Sequence, residues 1–491
     1  MSYRNPLPIF SAGGLSRESI TCNPDPFAIK YKGKYYCYSS GERGVAVLRS
    51  DGLQNFTHCG YAYREEDEHS YWAPAVLYWN GTFYLYYSSL ANGRTEDHEH
   101  FLKIAVSRDP LGPFRFERIL ISHFAIDPHV VRSGGKMYLF YSENVDRNPE
   151  TGRIGTAIKM TGMESPLILR DDTRTVLLPT FDEEIFSRNR FGDGKDWHTL
   201  EGAFYLEDGR TRYLMYSGNA YTSEDYFIGY ATASMSVPLE EAIFTKYPDD
   251  DTYFPLVRGC GFLVGTGHNS VVKAPDNVTD VMVYHGKILG EKSGKETDGR
   301  RICADILRER GGMLLTKAPT SGPQPDLPQP DFKACFTGGE IPCVRSSGEW
   351  SLENEELKGK GTGRVVFTSE LGGNYYLEAW IFIEGGNAGF LLQSGLPEEG
   401  VQIGADLKTG SICISRFRNG RGTRSDIPVR GRPEPSCYHK FSIRWSSGVI
   451  NFCIDEEEQI NLSEGKALTS AGCYVADGEM KVATFEMTRL N

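Results

Sequence analysis

"NPDPFAIKYKGKYYCYSS", Asn23 to Ser40, reads as a turn dipeptide, a short strand, a Gly-bearing polar turn and an aromatic, nearly continuous apolar strand. That order is a β-hairpin. Its second half recurs as "YWNGTFYLYYSS" (78–89), "RSGGKMYLFYSE" (132–143), "LEDGRTRYLMYSG" (206–218) and, more weakly, "DNVTDVMVYHG" (276–286). The strands before these turns are "PFAIKY", "PAVLYW", "PHVVRS", "GAFYLE" and "HNSVVKA"; "VAVLRS", "LKIAVSRD", "IGTAIKM" and "FIGYATAS" add a third strand after the first four copies. A spacing of about 50 to 75 residues leaves room for roughly four strands per unit. Five such units predict an all-β, five-bladed β-propeller in which each blade buries its faces against its neighbours. An array of β-sandwiches is the structural alternative, and the regularity of the hairpins speaks against it.

The Pro- and Gly-rich run "TKAPTSGPQPDLPQPDF" (316–332) reads as a semi-extended linker. Beyond it come shorter alternating strands: "NYYLEAWIFIE", "AGFLLQS", "GSICISRF", "KFSIRWS", "VINFCID" and "MKVATFEMTR". The expected division is a propeller over 1–318, a linker over 319–331 and a two-sheet β-sandwich of jelly-roll or concanavalin-like type over 332–491.

A formal charge of −12 argues against nucleic acid or an anionic membrane as the main partner. No run approaches the roughly 18 apolar residues of a membrane span, and "MSYRNPLPIF" lacks a leader's apolar core, so the expected location is cytoplasmic. The 11 cysteines form no CxxC pair, which fits a reduced protein without a disulfide framework or zinc site. The oligomeric state is left open.

The chemistry lies in what shares one phase of the repeat. Asp25 lies ten residues before Tyr35, Ala73 ten before Phe83 and Asp127 eleven before Tyr138. Glu201 lies twelve before Tyr213, and His268 fourteen before Met282. Each therefore stands at the entrance to the innermost strand of its blade, and five such junctions converge at one end of a propeller's channel. A structural repeat needs no acid there, since Ala73 serves in the second unit. Three carboxylates in one pocket repel, so at least one pKa should rise, and such an arrangement marks function. Glycosidic hydrolysis needs this equipment: one carboxylic acid to protonate the leaving oxygen and one carboxylate to activate water or attack carbon. Trp72, Phe27 and Phe204 are candidates to stack on a sugar ring.

Together "NPDPFAIKYKGKYY", "YWAPAVLYWNGTFYLYYS", "AIDPHVV", "EGAFYL" and "GTGHNSVV" resemble glycoside hydrolase family 43, over roughly residues 5 to 315. The resemblance implies a five-bladed propeller acting with inversion as an α-L-arabinofuranosidase, β-xylosidase or arabinanase. It implies Asp25 as general base, Asp127 as modulator of the acid's pKa and Glu201 as general acid. It also implies a role for His268 in substrate binding or beside a channel metal, commonly calcium, with no other cofactor required. The family's active-site arginine corresponds to Arg300 or Arg301, with Arg301 preferred. "EGA" departs from the Gly-Pro that more often follows the acid. The C-terminal region resembles the lectin-like modules attached to such enzymes.

The expected activity is exo-acting removal of terminal α-L-arabinofuranose from arabino-oligosaccharides. The alternatives are a β-xylosidase, a fructan-type glycosidase and a non-catalytic carbohydrate-binding propeller. Arg108-Asp109-Pro110 imitates a fructan-hydrolase motif but occupies an outer-strand position. "EDHEHF" (96–101) is read as a solvated loop or pocket rim, "YPDDDTYF" as a turn without full calcium-ligand spacing, and the acid runs as solvated surface.

Overall fold

The computed structural model describes residues 2–11, 22–145, 147–291, 299–394, 398–419 and 421–490. Its chain divides into two compact units, Met1–Lys273 with Thr279–Leu327, and Ala274–Val278 with Pro328–Asn491.

The first unit is the propeller. Its five inner strands are Phe27–Tyr31, Glu68–Trp79, Ile126–Ser133, Trp197–Glu207 and Leu263–Lys273. Each pairs antiparallel with the aromatic strand of its hairpin: Lys34–Ser39, Thr82–Ala91, Lys136–Val145, Thr211–Gly218 and Asp280–Ile288. Third and outer strands complete each blade. Blades 3 and 4 are also joined by a short parallel pairing of Ile154–Thr156 with Trp197–Thr199.

The aromatic strands lie inside their blades, which is why they read as unbroken apolar runs and not as alternating ones. Tyr35, Tyr38, Phe83, Tyr86, Tyr87, Tyr138, Phe140, Tyr213 and Tyr284 are all buried. Between adjacent blades their side chains merge into one apolar cluster per interface: Tyr38, Val47 and Tyr87 between the first two, Tyr86, Ile104 and Tyr141 between the next two. Phe140, Leu214 and Phe227 then join blades 3 and 4, and Met215, Tyr230 and Tyr284 join blades 4 and 5.

The ring closes through the N-terminal segment, which runs along the third strand of blade 5, Arg301–Arg310. The Leu7 amide donates to the Ile302 carbonyl, and the Tyr3 hydroxyl to that of Ala304. Buried Asn5 donates to the Ala304 carbonyl at 3.0 Å and to Asp305 Oδ2 at 2.9 Å, and accepts from the Ala304 amide at 2.9 Å. Part of the Pro-rich run belongs to this closure: the Thr320 hydroxyl donates to Asp305 Oδ1 at 2.6 Å, and Gln324–Pro325 pairs with Ser2–Tyr3.

The second unit is a β-sandwich around one core that includes Leu377, Phe390, Phe441, Phe452 and Phe485. "NYYLEAWIFIE" and "AGFLLQS", expected as separate strands, are the two halves of one strand, Asn374–Gln393. It pairs along its length with Ser470–Leu490, and the register slips between Ile383 and Asn387. Gly386, at φ +69°, takes the bend that lets one strand serve both sheets.

Asn5→Ala removes its bonds in the closure, with the one Asn5 also donates to Thr320 Oγ1 at 3.1 Å, and leaves buried partners unpaired. It should destabilise the propeller by about 3 kcal/mol, read as a lowered melting temperature; unchanged melting would show that the N-terminal segment does not hold the ring.

Candidate active site

Each inner strand carries, just before it or at an interruption of its ladder, a residue in the left-handed region: Asp25 at φ +55°, Ala73 at +42°, Asp127 at +57°, Gly202 at +62° and His268 at +49°. In blades 2 to 5 the ladder is irregular at this point, between Trp72 and Ala75, Ile126 and His129, Glu201 and Phe204, and Gly267 and Ser270. Such a bulge bends the strand and re-aims a side chain. A left-handed residue with a Cβ is strained by about 1–2 kcal/mol and persists only where its surroundings hold it. Here neighbouring side chains hold the amides. Ser40 Oγ accepts from the Ala73 N–H at 2.7 Å, Ser217 Oγ from that of His268 at 2.8 Å, and His285 Nδ1 from that of Asp25 at 3.2 Å. One expectation changes: in blade 4 the left-handed residue is Gly202, so Glu201 stands one position ahead of the shared phase.

Asp25 is surrounded by donors and positive charge. Its Oδ1 lies 2.8 Å from Arg300 Nη1 and 3.5 Å from His268 Nδ1; its Oδ2 accepts from the Ser40 hydroxyl at 2.6 Å. Burial alone would raise its pKa, but Arg300 and then His268 hold it well below the usual carboxylate range. His285 Nδ1 also lies 3.4 Å from Oδ1. Because an amide N–H can only donate, that nitrogen is an acceptor and the ring is neutral, in keeping with a pKa pushed by burial down to about 4.

Glu201 and Asp127 are displaced the other way. Burial, with the charge of Asp25, pushes Glu201 up to about 7, against the pull of its hydrogen bond from Tyr226. The Tyr226 hydroxyl donates to Glu201 Oε1 at 2.6 Å. Asp127 is raised well above the carboxylate range by burial and by the charges of Glu201 and Asp25, although its Oδ2 accepts from the Gly202 amide at 2.9 Å. Tyr226 stacks on His285 with ring centroids 5.6 Å apart. A Cβ on Gly267 would fall 1.9 Å from the Tyr226 ring, so that glycine makes room for it.

Other expectations need correction. Arg301 turns away from the pocket and pairs with Glu291 at 2.5 Å, whereas Arg300 enters it and lies 4.7 Å above the Tyr221 ring; consecutive extended residues face opposite ways. Phe27 contacts His129 and Phe204, whose rings stack at 4.1 Å. Two positions along the strand from Asp25, it belongs to a packed layer beneath the acids and not to a sugar-stacking wall. Half-buried Trp72 stacks on His100 at 3.6 Å. His100 is fully buried, bonds Ser88 Oγ and has its pKa pushed down to about 3 by burial first, so "EDHEHF" is not all solvated loop. Arg108 bonds the carbonyl of Gly81, in the hairpin turn at the opposite end of blade 2.

Among the described residues no group of three or more His, Cys, Asp or Glu side chains could hold a metal ion. Calcium asks for six to eight oxygens, and the one carboxylate beside His268 is already engaged by Arg300. These side chains do not fit a directly ligated calcium ion.

Ser40, Tyr226 and His285 were not singled out from the sequence. Ser40 belongs to the small polar tail that closes the hairpin repeat, and His285 to the weakest copy, "VYHG"; Tyr226 lies outside every repeat.

The model of glycosyl hydrolases family 43 matches residues 19–313, more than half of the chain. A thermostable family-43 glycoside hydrolase of known structure is 30% identical over 66% of this chain and 98% of its own, with a TM-score of 0.52. The GH43 protein BlXynB of Bacillus licheniformis is 17% identical and covers both chains fully, with a TM-score of 0.51, a likeness of fold. An extracellular exo-α-(1→5)-L-arabinofuranosidase of Streptomyces avermitilis is 24% identical over 45% of this chain and 44% of its own. The chain spans less than two thirds of the length of the curated relatives it matches.

A raised folded-state pKa makes a stability contribution that is complete below the unfolded value, near 4.5 for Glu201, and lost as pH climbs through about 7. Glu201→Gln removes that group. Across pH 4.5 to 7 the wild type should lose melting temperature relative to the variant; parallel curves would show that Glu201 titrates normally.

Proposed function

Because the chain belongs to glycosyl hydrolases family 43, we propose that it is an inverting glycosidase releasing terminal α-L-arabinofuranosyl residues from the non-reducing ends of arabino-oligosaccharides. One observation carries this reading: carboxyls in one pocket are driven to opposite protonation states, Asp25 ionised beside Arg300 and Glu201 holding its proton to about 7.

In the proposed reaction Glu201 is the general acid. Tyr226 occupies its Oε1, which leaves Oε2 to carry the proton to the leaving oxygen. Asp25 is the general base: it takes a proton from water as that water attacks the anomeric carbon from the other face, inverting the configuration. Glu201 then regains a proton and Asp25 releases one. Asp127 anchors the Gly202 amide and crowds a further carboxyl against Glu201, so that the pair cannot ionise together at low energetic cost. Arg300 keeps Asp25 charged, and Trp72 provides an aromatic wall at the same end.

Exo action is supported by the loops. Asp97, after the aromatic strand of blade 2, lies 4.0 Å from Arg190, which precedes the inner strand of blade 4. The Arg190 guanidinium lies over the rings of Phe186, Phe191 and Trp197. Loops of blades 2 and 4 thus meet across blade 3, which suits a pocket that receives a chain end. The arabinofuranosyl assignment draws on the printed activity of the Streptomyces avermitilis relative.

Asp25→Asn should lower turnover about 10²- to 10⁴-fold on every substrate. Glu201→Gln should do so on oligosaccharides yet spare aryl glycosides whose leaving group needs no proton. Undiminished oligosaccharide hydrolysis by either variant sinks the role assignment; turnover of nitrophenyl β-xyloside but not α-arabinofuranoside would move the substrate to xylo-oligosaccharides. Wild-type activity should fall as pH rises through about 7, where Glu201 loses its proton. Arg300→Met, by removing the cation that holds Asp25 down, should shift the acidic limb of the profile to higher pH; a limb that stays put would show that Arg300 acts only on substrate.

A further inference from the structure

One loop of blade 4 reaches both halves of the acid–base pair, and the glycosidase reading uses only one of its two tyrosines. The loop runs from Asn219 to Tyr226, between the strands Thr211–Gly218 and Phe227–Ser234. Tyr226, at its end, holds Glu201. Tyr221, near its start, lies under the Arg300 guanidinium, whose carbon is 4.7 Å from the ring centroid.

This loop is fixed from several sides. Asn219, at φ +76°, donates through Nδ2 to the Glu183 carbonyl at 3.0 Å, and its Oδ1 accepts the Ala220 amide at 2.7 Å. Lys287 Nζ donates to the Tyr221 carbonyl at 2.8 Å, and the Gly265 amide to that of Glu224 at 2.9 Å. The blade 5 strand Leu263–Lys273 gives up two side chains to admit the loop. A Cβ would come within 2.8 Å of the Ser223 carbonyl at Gly265, and within 1.9 Å of the Tyr226 ring at Gly267.

The Arg300 side chain is 12% exposed, and its Nη1 lies 2.8 Å from Asp25 Oδ1. That contact fixes one nitrogen; an aromatic ring against the face fixes the plane of the guanidinium. Its placement matters because the same cation also draws on Glu201 and Asp127, favouring their ionised forms. Turned toward Glu201, it would work against the acid. Given the glycosidase reading, we propose that Tyr221 is a positioning residue for the hydrolysis, its ring holding the Arg300 guanidinium on the Asp25 side of the pocket, where the cation serves the base and stays off the acid. Tyr221 acts through Arg300.

The test is a double-mutant cycle on kcat/KM with arabino-oligosaccharides and nitrophenyl glycosides. Tyr221→Leu keeps bulk and removes the ring face, and should lower kcat/KM about tenfold. Tyr221→Phe keeps the face and should restore the wild-type rate. In an Arg300→Met background Tyr221→Leu should change the rate by less than about twofold, because its route to the carboxyls is already cut. Tyr221→Ala takes the place of Tyr221→Leu should that variant fold poorly. A wild-type rate in Tyr221→Leu, a Phe variant as slow as the Leu variant, or an undiminished loss in the Arg300→Met background overturns the proposal. Failure of the glycosidase reading shows separately, as a wild type that turns over none of these substrates. The hold on Arg300 is then read by NMR of the full chain labelled with 15N-arginine, the Arg300 Nε–H signal being the one that Arg300→Met removes. It should carry a ring-current shift in the wild type and in Tyr221→Phe and lose it in Tyr221→Leu; a signal at the same place in all three overturns the proposal.

Discussion

Everything at the mouth of the propeller depends on holding one residue of each inner strand, or just before it, in a left-handed turn. An extended strand entering the channel would alternate its side chains between the two neighbouring blades. A left-handed residue at the bulge breaks that alternation and aims one side chain per blade along the channel. Three of the four non-glycine examples, Asp25, Ala73 and Asp127, also precede proline, a context that normally enforces extended backbone. Strain of this kind survives only where the surroundings over-determine it. Ser40, Ser217 and His285 do so by accepting the strained amides.

The same bonds organise the electrostatics. Ser40 accepts from the Ala73 amide and donates to Asp25 Oδ2, so the blade without an acid still contributes through its backbone. His285 accepts from the Asp25 amide, which keeps its ring neutral and lets it stack under Tyr226. Tyr226 in turn occupies one oxygen of Glu201. A chain of contacts thus runs from the Asp25 backbone to Glu201 without placing a cation beside Glu201. Arg300 sits at the Asp25 end and polarises the pocket.

The fold was legible because the aromatic strand is buried on both faces in every blade, and that requirement writes the same word five times. Three residues of the candidate site, Asp25, Asp127 and His268, could be found from their phase alone. Glu201 could be found only because its offset from the bulge is a single residue. What the sequence hid follows physical lines. Arg300 and Arg301 are neighbours of one residue type, and only the direction of the strand decides which enters the pocket. Phe27 and Trp72 look alike in sequence, yet one packs beneath the acids and the other stands on buried His100. Tyr226 is placed by tertiary packing against Gly267, and no local pattern announces a contact between blades 4 and 5. In the second unit the sequence shows two strands where a Gly-Gly bend leaves one.

One pocket can hold both an ionised carboxylate and protonated carboxyls because burial acts on all three alike while the neighbours do not. Desolvation pushes each of them toward the neutral form. Only Asp25 has a guanidinium in contact and a hydroxyl on its other oxygen, so only Asp25 remains ionised. Its charge is then itself a reason for Asp127 and Glu201 to stay protonated. The asymmetry therefore needs one cation, placed once, and the rest of the protonation pattern follows from Coulomb's law across a small buried space. Arg300 enters the pocket from blade 5 beside the first blade's Asp25, so closing the ring at the N-terminal segment also brings the cation to that carboxylate.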